Sequence, residues 1–150
     1  MTRVLGVDLG ERRIGLACSD ASGVLASPLT VILRSGDPVA DRVAVVAAAT
    51  EAEAQVIVVG LPRSLSGREG PAARGARGEA AALAELAEAA GGITVELHDE
   101  RFTTREAQRA LRAGGRRARD QRDHIDAAAA AVMLQSWLDT HRDAGAEGDR

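Results

Sequence analysis

VLGVDLGERRIGLACSD, residues 4–20, decides the fold because it holds two apolar runs separated by a short turn that contains a glycine. We predict a strand over 3–8, a turn at LGER and a second strand over 13–18. Asp8 interrupts the first run, which otherwise has the composition of a buried strand. Burying an ionised carboxylate costs several kcal/mol unless a counter-charge meets it. Asp8 is therefore a candidate for a functional site.

Three further strands and four helices follow from apolar periodicity and from capping residues. Pro28 places the third strand at a sheet edge or a bulge. Asp37 followed by Pro38 is a helix cap followed by a favoured first helical residue. The predicted elements are strand 24–33, helix 37–54, strand 55–60, helix 79–90, strand 93–97, helix 103–115 and helix 124–140.

The order of these elements predicts an α/β fold. The first three strands are closely spaced and should form an antiparallel meander, whereas the last two need helical crossovers and so should pair in parallel. We expect a mixed five-stranded sheet, with strands 1–3 antiparallel and strands 4–5 parallel, flanked by helices on both faces. The chain should form one domain over 1–141, with a disordered tail over 142–150.

Composition narrows the class of protein. The chain has 150 residues, of which 45% are hydrophobic, and this size allows a buried core. No apolar run approaches the roughly 20 residues of a membrane span, and the N-terminus lacks a signal peptide. Cys18 is the single cysteine, which excludes an intramolecular disulfide and fits a reducing, cytoplasmic location.

The distribution of charge indicates a polyanionic partner. The net charge is −3, but all 19 basic residues are arginine, and eight of them lie between 101 and 122 beside only two acids. Such clustering favours a nucleic acid or another polyanion. In a second arginine-rich segment, 61–78, no aromatic residues are interleaved with the arginines, so we expect contacts with phosphates there rather than stacking on single-stranded bases.

A second candidate for binding phosphates is the segment 61–78, LPRSLSGREGPAARGARG, which we predict as a loop. It follows the C-terminal end of a parallel strand, where α/β sheets bind ligands. Arginines, serines and glycines suit a phosphate backbone, and a solvated surface loop is the alternative. The segment lacks the GKS or GKT ending of a P-loop, which disfavours nucleotide binding.

Three acids lie where acids should be rare: Asp8, Glu100 just past the fifth strand, and Asp126 in the first turn of the last helix. If strands one, four and five are neighbours, the ends of these elements converge at one edge of the sheet. Carboxylates packed together repel one another unless a hard cation such as Mg²⁺ lies between them. Two such ions ~3.5–4 Å apart can support phosphodiester hydrolysis.

Each acid also has a structural interpretation. Asp8 could begin the turn, Asp126 could cap its helix, and Glu100 could pair with a neighbouring arginine on the surface. Asp99 and Asp123 are more readily explained as structural, although either could join a metal site.

The chain resembles the YqgF/RuvX family of Holliday-junction resolvases and pre-16S rRNA nucleases, which has the RNase H-like fold. The resemblance spans nearly the whole predicted domain in the family's order and spacing. It implies that 1–141 is a single RNase H-like nuclease domain. The matching stretches are GVDLGERRIGLA (5–16), VIVVGLPRSLSGREGP (56–71), HDERFTTREAQRAL (98–111) and IDAAAAAVMLQSWLD (125–139).

The resemblance implies that Asp8, Glu100 and Asp126 are the catalytic residues and hold Mg²⁺ or Mn²⁺. The region before the last helix departs from the family pattern, because Asp123 stands among arginines and leaves a fourth ligand open. Together with the resemblance, the charge distribution predicts nucleic-acid contacts at Arg12, Arg13, Arg63, Arg68, Arg74, Arg101, Arg105, Arg116 and Arg117.

The resulting hypothesis is a metal-dependent nuclease that processes the 5′ end of pre-16S rRNA. The alternatives are a Holliday-junction-resolvase-like DNA endonuclease and a non-catalytic nucleic-acid-binding factor. The DLG motif also occurs in actin-like ATPases, but those need two such domains around a nucleotide. Neither the choice between RNA and DNA nor the choice between monomer and homodimer follows from the sequence.

Overall fold

The computed structural model describes residues 2–62, 70–99 and 118–148, with side chains in the last segment described over 126–141. Its elements in chain order are β1 (Val4–Leu9), β2 (Arg13–Ser19), β3 (Ala26–Leu33), α1 (Pro38–Glu51), β4 (Val56–Leu61), α2 (Pro71–Gly91), β5 (Thr94–Asp99) and α3 (Ala118–Gly148). The helix predicted over 103–115 lies outside the described residues.

The strands form one five-stranded sheet in the order β3-β2-β1-β4-β5. β1, β2 and β3 pair antiparallel, whereas β4 pairs parallel with both β1 and β5. The predicted mixed sheet is therefore confirmed. The crossovers through α1 and α2 place the carboxyl ends of β1, β4 and β5 side by side, which is the edge at which the acids were expected to meet.

The outer strand β3 confirms the interpretation of Pro28. β3 lies at the edge of the sheet, and its pairing with β2 shifts register between Leu16 and Ala17, opposite Pro28. β3 begins at Ala26 rather than at 24, because the Asp20 carboxylate accepts hydrogen bonds from the backbone amides of Val24 and Leu25. These two residues therefore belong to the turn.

α1 begins where the sequence indicated. The Asp37 side chain accepts hydrogen bonds from the amides of Val39 and Ala40, and Pro38 is the first helical residue. α2, however, begins at Pro71 and not at 79, so the prediction of a loop as far as 78 is wrong. Proline is favoured at the first helical position, which fits the start at Pro71. The glycines within 71–78 have low helix propensity, and for that reason the sequence indicated a loop.

α3 is longer than predicted, since it runs from Ala118 to Gly148 instead of over 124–140. Residues 142–148 continue this helix, although the sequence predicts a disordered tail there. Alanine and glutamate in this segment are compatible with helix. The bounds of the domain itself stay a prediction.

Helices cover both faces of the sheet. On one face, Leu5 and Val7 of β1 belong to a core with the buried side chains of α1 and α2. On the other face, Val4 of β1 packs with Leu134 and Trp137 of α3. Because side chains alternate along a strand, Asp8 lies on the face of Val4, which α3 covers. Burial on both faces explains why the strands lack regular polar alternation.

Candidate active site

Asp8 is the second-last residue of β1 and is half-buried. In the antiparallel pair of β1 and β2, its partner is Gly15. Side chains of directly opposed residues point to the same face, with Cβ positions about 5 Å apart. The Asp8 side chain and the open space over Gly15 therefore lie next to each other beneath α3.

Asp126 of α3 occupies that space. A Cβ atom on Gly15 would collide with the backbone carbonyl of Asp126, so the helix backbone rests directly on this glycine. Gly15, which the Asp126 backbone covers, is the direct cross-strand neighbour of Asp8. The structure thus brings Asp8 and Asp126, two of the three predicted acids, to the same place on one face of the sheet.

Asp126 does not cap its helix. α3 begins at Ala118, which puts Asp126 in the third turn rather than in the predicted first turn. The interpretation of Asp126 as a helix cap is therefore wrong. Its half-buried position is set by contact with the sheet.

Small residues permit the close approach of α3 along its length. A Cβ on Gly6 would lie 2.8 Å from the Cβ of Leu134 and 3.3 Å from the carbonyl oxygen of Ala130. Ala127 and Ala130 are buried in the same interface. The alanine run in the sequence is thus a packing surface that lets the helix backbone reach the glycines of β1 and β2.

The neighbouring end of β5 is tied to α3 by a buried histidine. His98 Nε2 lies 3.0 Å from Ser136 Oγ, and burial lowers the pKa of His98. Asp99, the last residue of β5, falls on the opposite face from His98 because side chains alternate. Glu100 lies outside the described residues. Within residues 2–62, 70–99 and 118–148, no three acidic, histidine or cysteine side chains form a group that could hold a metal ion.

A cleft of about 750 Å³ opens at the carboxyl edge of the sheet beside Asp8. Its polar lining includes Glu11 from the β1–β2 turn, Arg34 just after β3, and Glu79 of α2. Gly60 and Pro62 form its floor at the end of β4, and Pro71 and Gly75 belong to the wall that α2 provides. Asp8 therefore lines a cleft at the carboxyl edge of the sheet.

The α2 wall is fixed to α1 by an ion pair. Arg42 donates two hydrogen bonds to Glu79, at 2.7 and 3.0 Å. The bonds from Arg42 hold the pKa of Glu79 below its ordinary value, and Arg34 adds to this effect through its charge. Glu79 is therefore ionised at neutral pH and is bound by an arginine of the protein.

Of the nine arginines predicted to contact nucleic acid, three lie within the described residues and six lie outside them. Arg12 is exposed in the β1–β2 turn, and Arg13 begins β2 on the same face as Gly15. Arg74 is exposed on α2, but it is absent from the described residues that line the cleft. The others lie outside the described residues: Arg63, Arg68, Arg101, Arg105, Arg116 and Arg117.

Sequence reasoning missed Gly15 and Arg34. An isolated glycine inside a predicted strand is a signal of close backbone approach, and that signal could have identified Gly15. Nothing local distinguishes Arg34 from the other 18 arginines. Its position depends on the pairing of β2 with β3, where Leu33 is the partner of Arg13.

The order and directions of the five strands define the class of protein, an α/β protein with the RNase H-like fold. The sequence profile of the RuvX family, described as a Holliday junction resolvase, matches residues 2–140. The chain therefore belongs to the RuvX family. None of the helices in the described part of the chain is long and apolar enough to cross a membrane.

Two relatives agree with this assignment. A protein of Anaeromyxobacter dehalogenans strain 2CP-C is 50% identical over 137 residues, which are 91% of this chain and 96% of that protein. A protein of Mycobacteroides abscessus is 45% identical over 147 residues, 98% of this chain and 87% of that one. Both carry the name "Putative pre-16S rRNA nuclease".

Two structures of RuvC from Thermus thermophilus share the fold. One has a TM-score of 0.56 and 16% identity, and covers 93% of this chain and 96% of its own. The other, in complex with a Holliday junction substrate, has a TM-score of 0.54 and 15% identity, and covers 91% of this chain and 92% of its own. At these identities the likeness concerns the fold alone.

Proposed function

We propose that this protein is a divalent-metal-dependent nuclease in which Asp8, Glu100 and Asp126 are the catalytic acids and metal ligands, and that its substrate is the precursor of 16S rRNA. The observation that carries the proposal is the contact of the Asp126 backbone with Gly15, the cross-strand partner of Asp8. This contact supports the proposal because it puts two acids that are 118 positions apart in sequence on the same face of the sheet.

The donor set fits a hard cation. Asp8 and Asp126 supply carboxylate oxygens, which Mg²⁺ and Mn²⁺ prefer; both residues are half-buried, and Asp8 lines the cleft. Glu100 is proposed as the third ligand because it directly follows β5, two positions after His98 on the α3 face. When bound, such ions stabilise the charges on the attacking and leaving oxygens of an in-line displacement at phosphorus.

The protein's own residues hold and orient the substrate. Asp8 is fixed on a central strand, and Asp126 is fixed by contact between backbones, so neither acid depends on a loop for its position. Arg12 and Arg13 lie in or next to the turn that follows Asp8 and can bind the phosphates on either side of the cleaved bond. The arginines between 101 and 122 would extend this electrostatic contact.

The relatives favour a ribosomal RNA substrate. The two relatives at 45–50% identity, matched over most of their length, carry the name of a pre-16S rRNA nuclease. We therefore propose processing at the 5′ end of this precursor, as a single domain in the cytoplasm. A four-way DNA junction is the second candidate, because the description of the matching family profile is Holliday junction resolvase.

The test compares both substrates directly. The full-length protein is incubated with 16S rRNA precursor and with a four-way DNA junction, each with Mg²⁺, Mn²⁺ or EDTA. We expect metal-dependent cleavage of the precursor, and Asp8→Asn should reduce the rate by more than about 100-fold, a loss that mutations of outer-shell residues already reach. Glu85→Gln, which removes an exposed acid of α2, is the matched control and should leave the rate unchanged.

Each other outcome has a definite meaning. Full activity of Asp8→Asn would contradict the acidic site. Cleavage of the junction alone, in paired symmetric cuts by a dimer, would replace the proposed substrate with branched DNA. Metal-independent cleavage by the unaltered protein would reject the proposed cofactor.

A further inference from the structure

Arg34 is bound to both ends of the turn that follows Asp8. This turn is closed by a hydrogen bond of 2.9 Å from the Gly10 amide to the Arg13 carbonyl. The backbone amide of Arg34 donates to the Arg12 carbonyl at 2.9 Å, and its side-chain Nε donates to the Gly10 carbonyl at 2.7 Å. The guanidinium plane of Arg34 is therefore held against the turn from the outside.

The same side chain lines two connected concave surfaces. It lines the cleft that contains Asp8, and it also lines an adjoining groove with Arg12 and Arg13. Of the arginines in the described segments, Arg34 alone lines both surfaces. A nucleic-acid strand that approaches Asp8 along this edge of the sheet would pass over its guanidinium group.

The terminal nitrogens of Arg34 make no hydrogen bond to any other described residue, because its side-chain bond uses Nε. The charge of Arg34 helps to lower the pKa of Glu79, but both carboxylate oxygens of Glu79 already accept hydrogen bonds from Arg42. The Arg34 guanidinium is therefore held in one orientation at the cleft, and the Glu79 carboxylate binds Arg42 instead of Arg34.

We propose that Arg34 is a substrate-binding residue whose two terminal nitrogens contact a backbone phosphate of the nucleic acid, next to the phosphodiester that is cleaved at Asp8. The inference rests on the proposed nuclease function and adds a residue to it. A guanidinium presents paired donors that match two phosphate oxygens, and one that is already fixed through Nε loses less entropy on binding. Lysine can supply the charge but not this geometry.

The experiment measures binding and cleavage for Arg34→Ala, Arg34→Lys and a control. The control is Arg3→Ala, which removes an exposed arginine just before β1, at the opposite end of the strand from Asp8. The probes are a labelled four-way DNA junction and a labelled RNA hairpin that carries the 5′ end of 16S rRNA with its precursor leader. Dissociation constants are measured between 50 and 200 mM salt, and thermal melting checks the fold of each variant.

We expect Arg34→Ala to weaken binding about tenfold at low salt. The slope of log affinity against log salt should fall by roughly 0.7–0.9, which is the loss of one phosphate contact. Arg34→Lys should retain the slope but recover only part of the affinity, and Arg3→Ala should match the unaltered protein. In cleavage assays the KM of Arg34→Ala should rise by more than its kcat falls.

An unchanged salt slope in a folded Arg34→Ala protein would overturn the inference, as would an unchanged KM with a lower melting temperature, which indicates a structural role only. The two proposals can fail separately. Binding that loses one phosphate contact, without cleavage by any variant, supports the contact and rejects the nuclease. Normal cleavage with the KM of Arg34→Ala unchanged retains the nuclease and rejects the contact.

Discussion

The two faces of the sheet are built from different residues. The face beneath α1 and α2 carries large aliphatic side chains such as Leu5 and Val7, and it packs against Leu83 of α2. On the face beneath α3, large side chains such as Leu134 and Trp137 also pack, but β1 and β2 present Gly6 and Gly15 to the helix. The first face is filled by side chains alone, whereas on the second the helix backbone also approaches the strands closely.

The first face mainly determines the stability of the fold, and the second face determines the position of Asp126 relative to Asp8. Volume on the first face supplies hydrophobic free energy and tolerates some adjustment of side chains. Close approach on the second face determines where Asp126 lies relative to Asp8, and a single methyl group is enough to change it. Mutations of the first face should therefore reduce stability, and mutations of the second should reduce activity.

The largest effect on stability should come from Leu83→Ala, because Leu83 is fully buried on the first face. The cavity and the lost apolar contacts should lower the free energy of unfolding by about 2–5 kcal/mol. Urea unfolding measures this change. The kcat of the folded protein should stay within a factor of two, and a loss like that of Asp8→Asn would contradict the separation of the two faces.

Gly15→Ala, in contrast to Leu83→Ala, should reduce activity more than stability. Its Cβ would collide with the Asp126 carbonyl and displace α3 from Asp8, which should lower the cleavage rate on the order of 100-fold for a cost of about 1–3 kcal/mol in stability. Initial cleavage rates and urea unfolding measure the two effects.

Gly78→Ala is the matched control for this substitution. A Cβ on Gly78 meets nothing within 4 Å, so alanine should stabilise α2 by up to about 1 kcal/mol and leave cleavage unchanged. If Gly15→Ala retained full activity, the proposed positioning of Asp126 would be incorrect.

A smaller effect is expected from the ion pair that joins α1 to α2. Both side chains are about a quarter exposed, so a double-mutant cycle with Arg42→Gln and Glu79→Gln should give a coupling of about 0.5–1 kcal/mol at pH 7. The folded pKa of Glu79 is lowered, so this contribution is present above the ordinary value of 4.5 and is lost as pH falls through the lowered value. A coupling that persists unchanged in acid would show that the attraction does not depend on the Glu79 charge.

The smallest effect concerns Asp20, a carboxylate whose partners are all local. Hydrogen bonds from Ser22, Leu25 and Val24 lower the pKa of Asp20 to about 2. A carboxyl-detected NMR titration should place its midpoint there, and Ser22→Ala should raise the midpoint towards the model-peptide value of 3.8. A midpoint near 3.8 in the unaltered protein would show that the turn does not hold this carboxylate.

Several features of the fold followed from local sequence. The Asp37–Pro38 cap, the edge position of Pro28 and the change from antiparallel to parallel strands are each confirmed. The start of α2 did not follow, because Gly75 and Gly78 have low helix propensity, while the packing of Ala73 and Ala76 against the sheet offsets that cost. The predicted start of α2 followed from the low helix propensity of glycine, whereas its actual start depends on packing against the sheet.

The candidate site divides in the same way. Asp8 was conspicuous because a carboxylate is costly in a buried strand, and that cost can be judged from neighbours in sequence. The proximity of Asp126 to Asp8 depends on how deeply α3 settles on Gly6 and Gly15, and the position of Arg34 depends on the pairing of β2 with β3. Sequence by itself determined which residues are chemically unusual and in what order the strands are joined. Only the tertiary structure decided which of them meet, because the contacts join positions that are distant along the chain and are set by the shape of the packed surfaces.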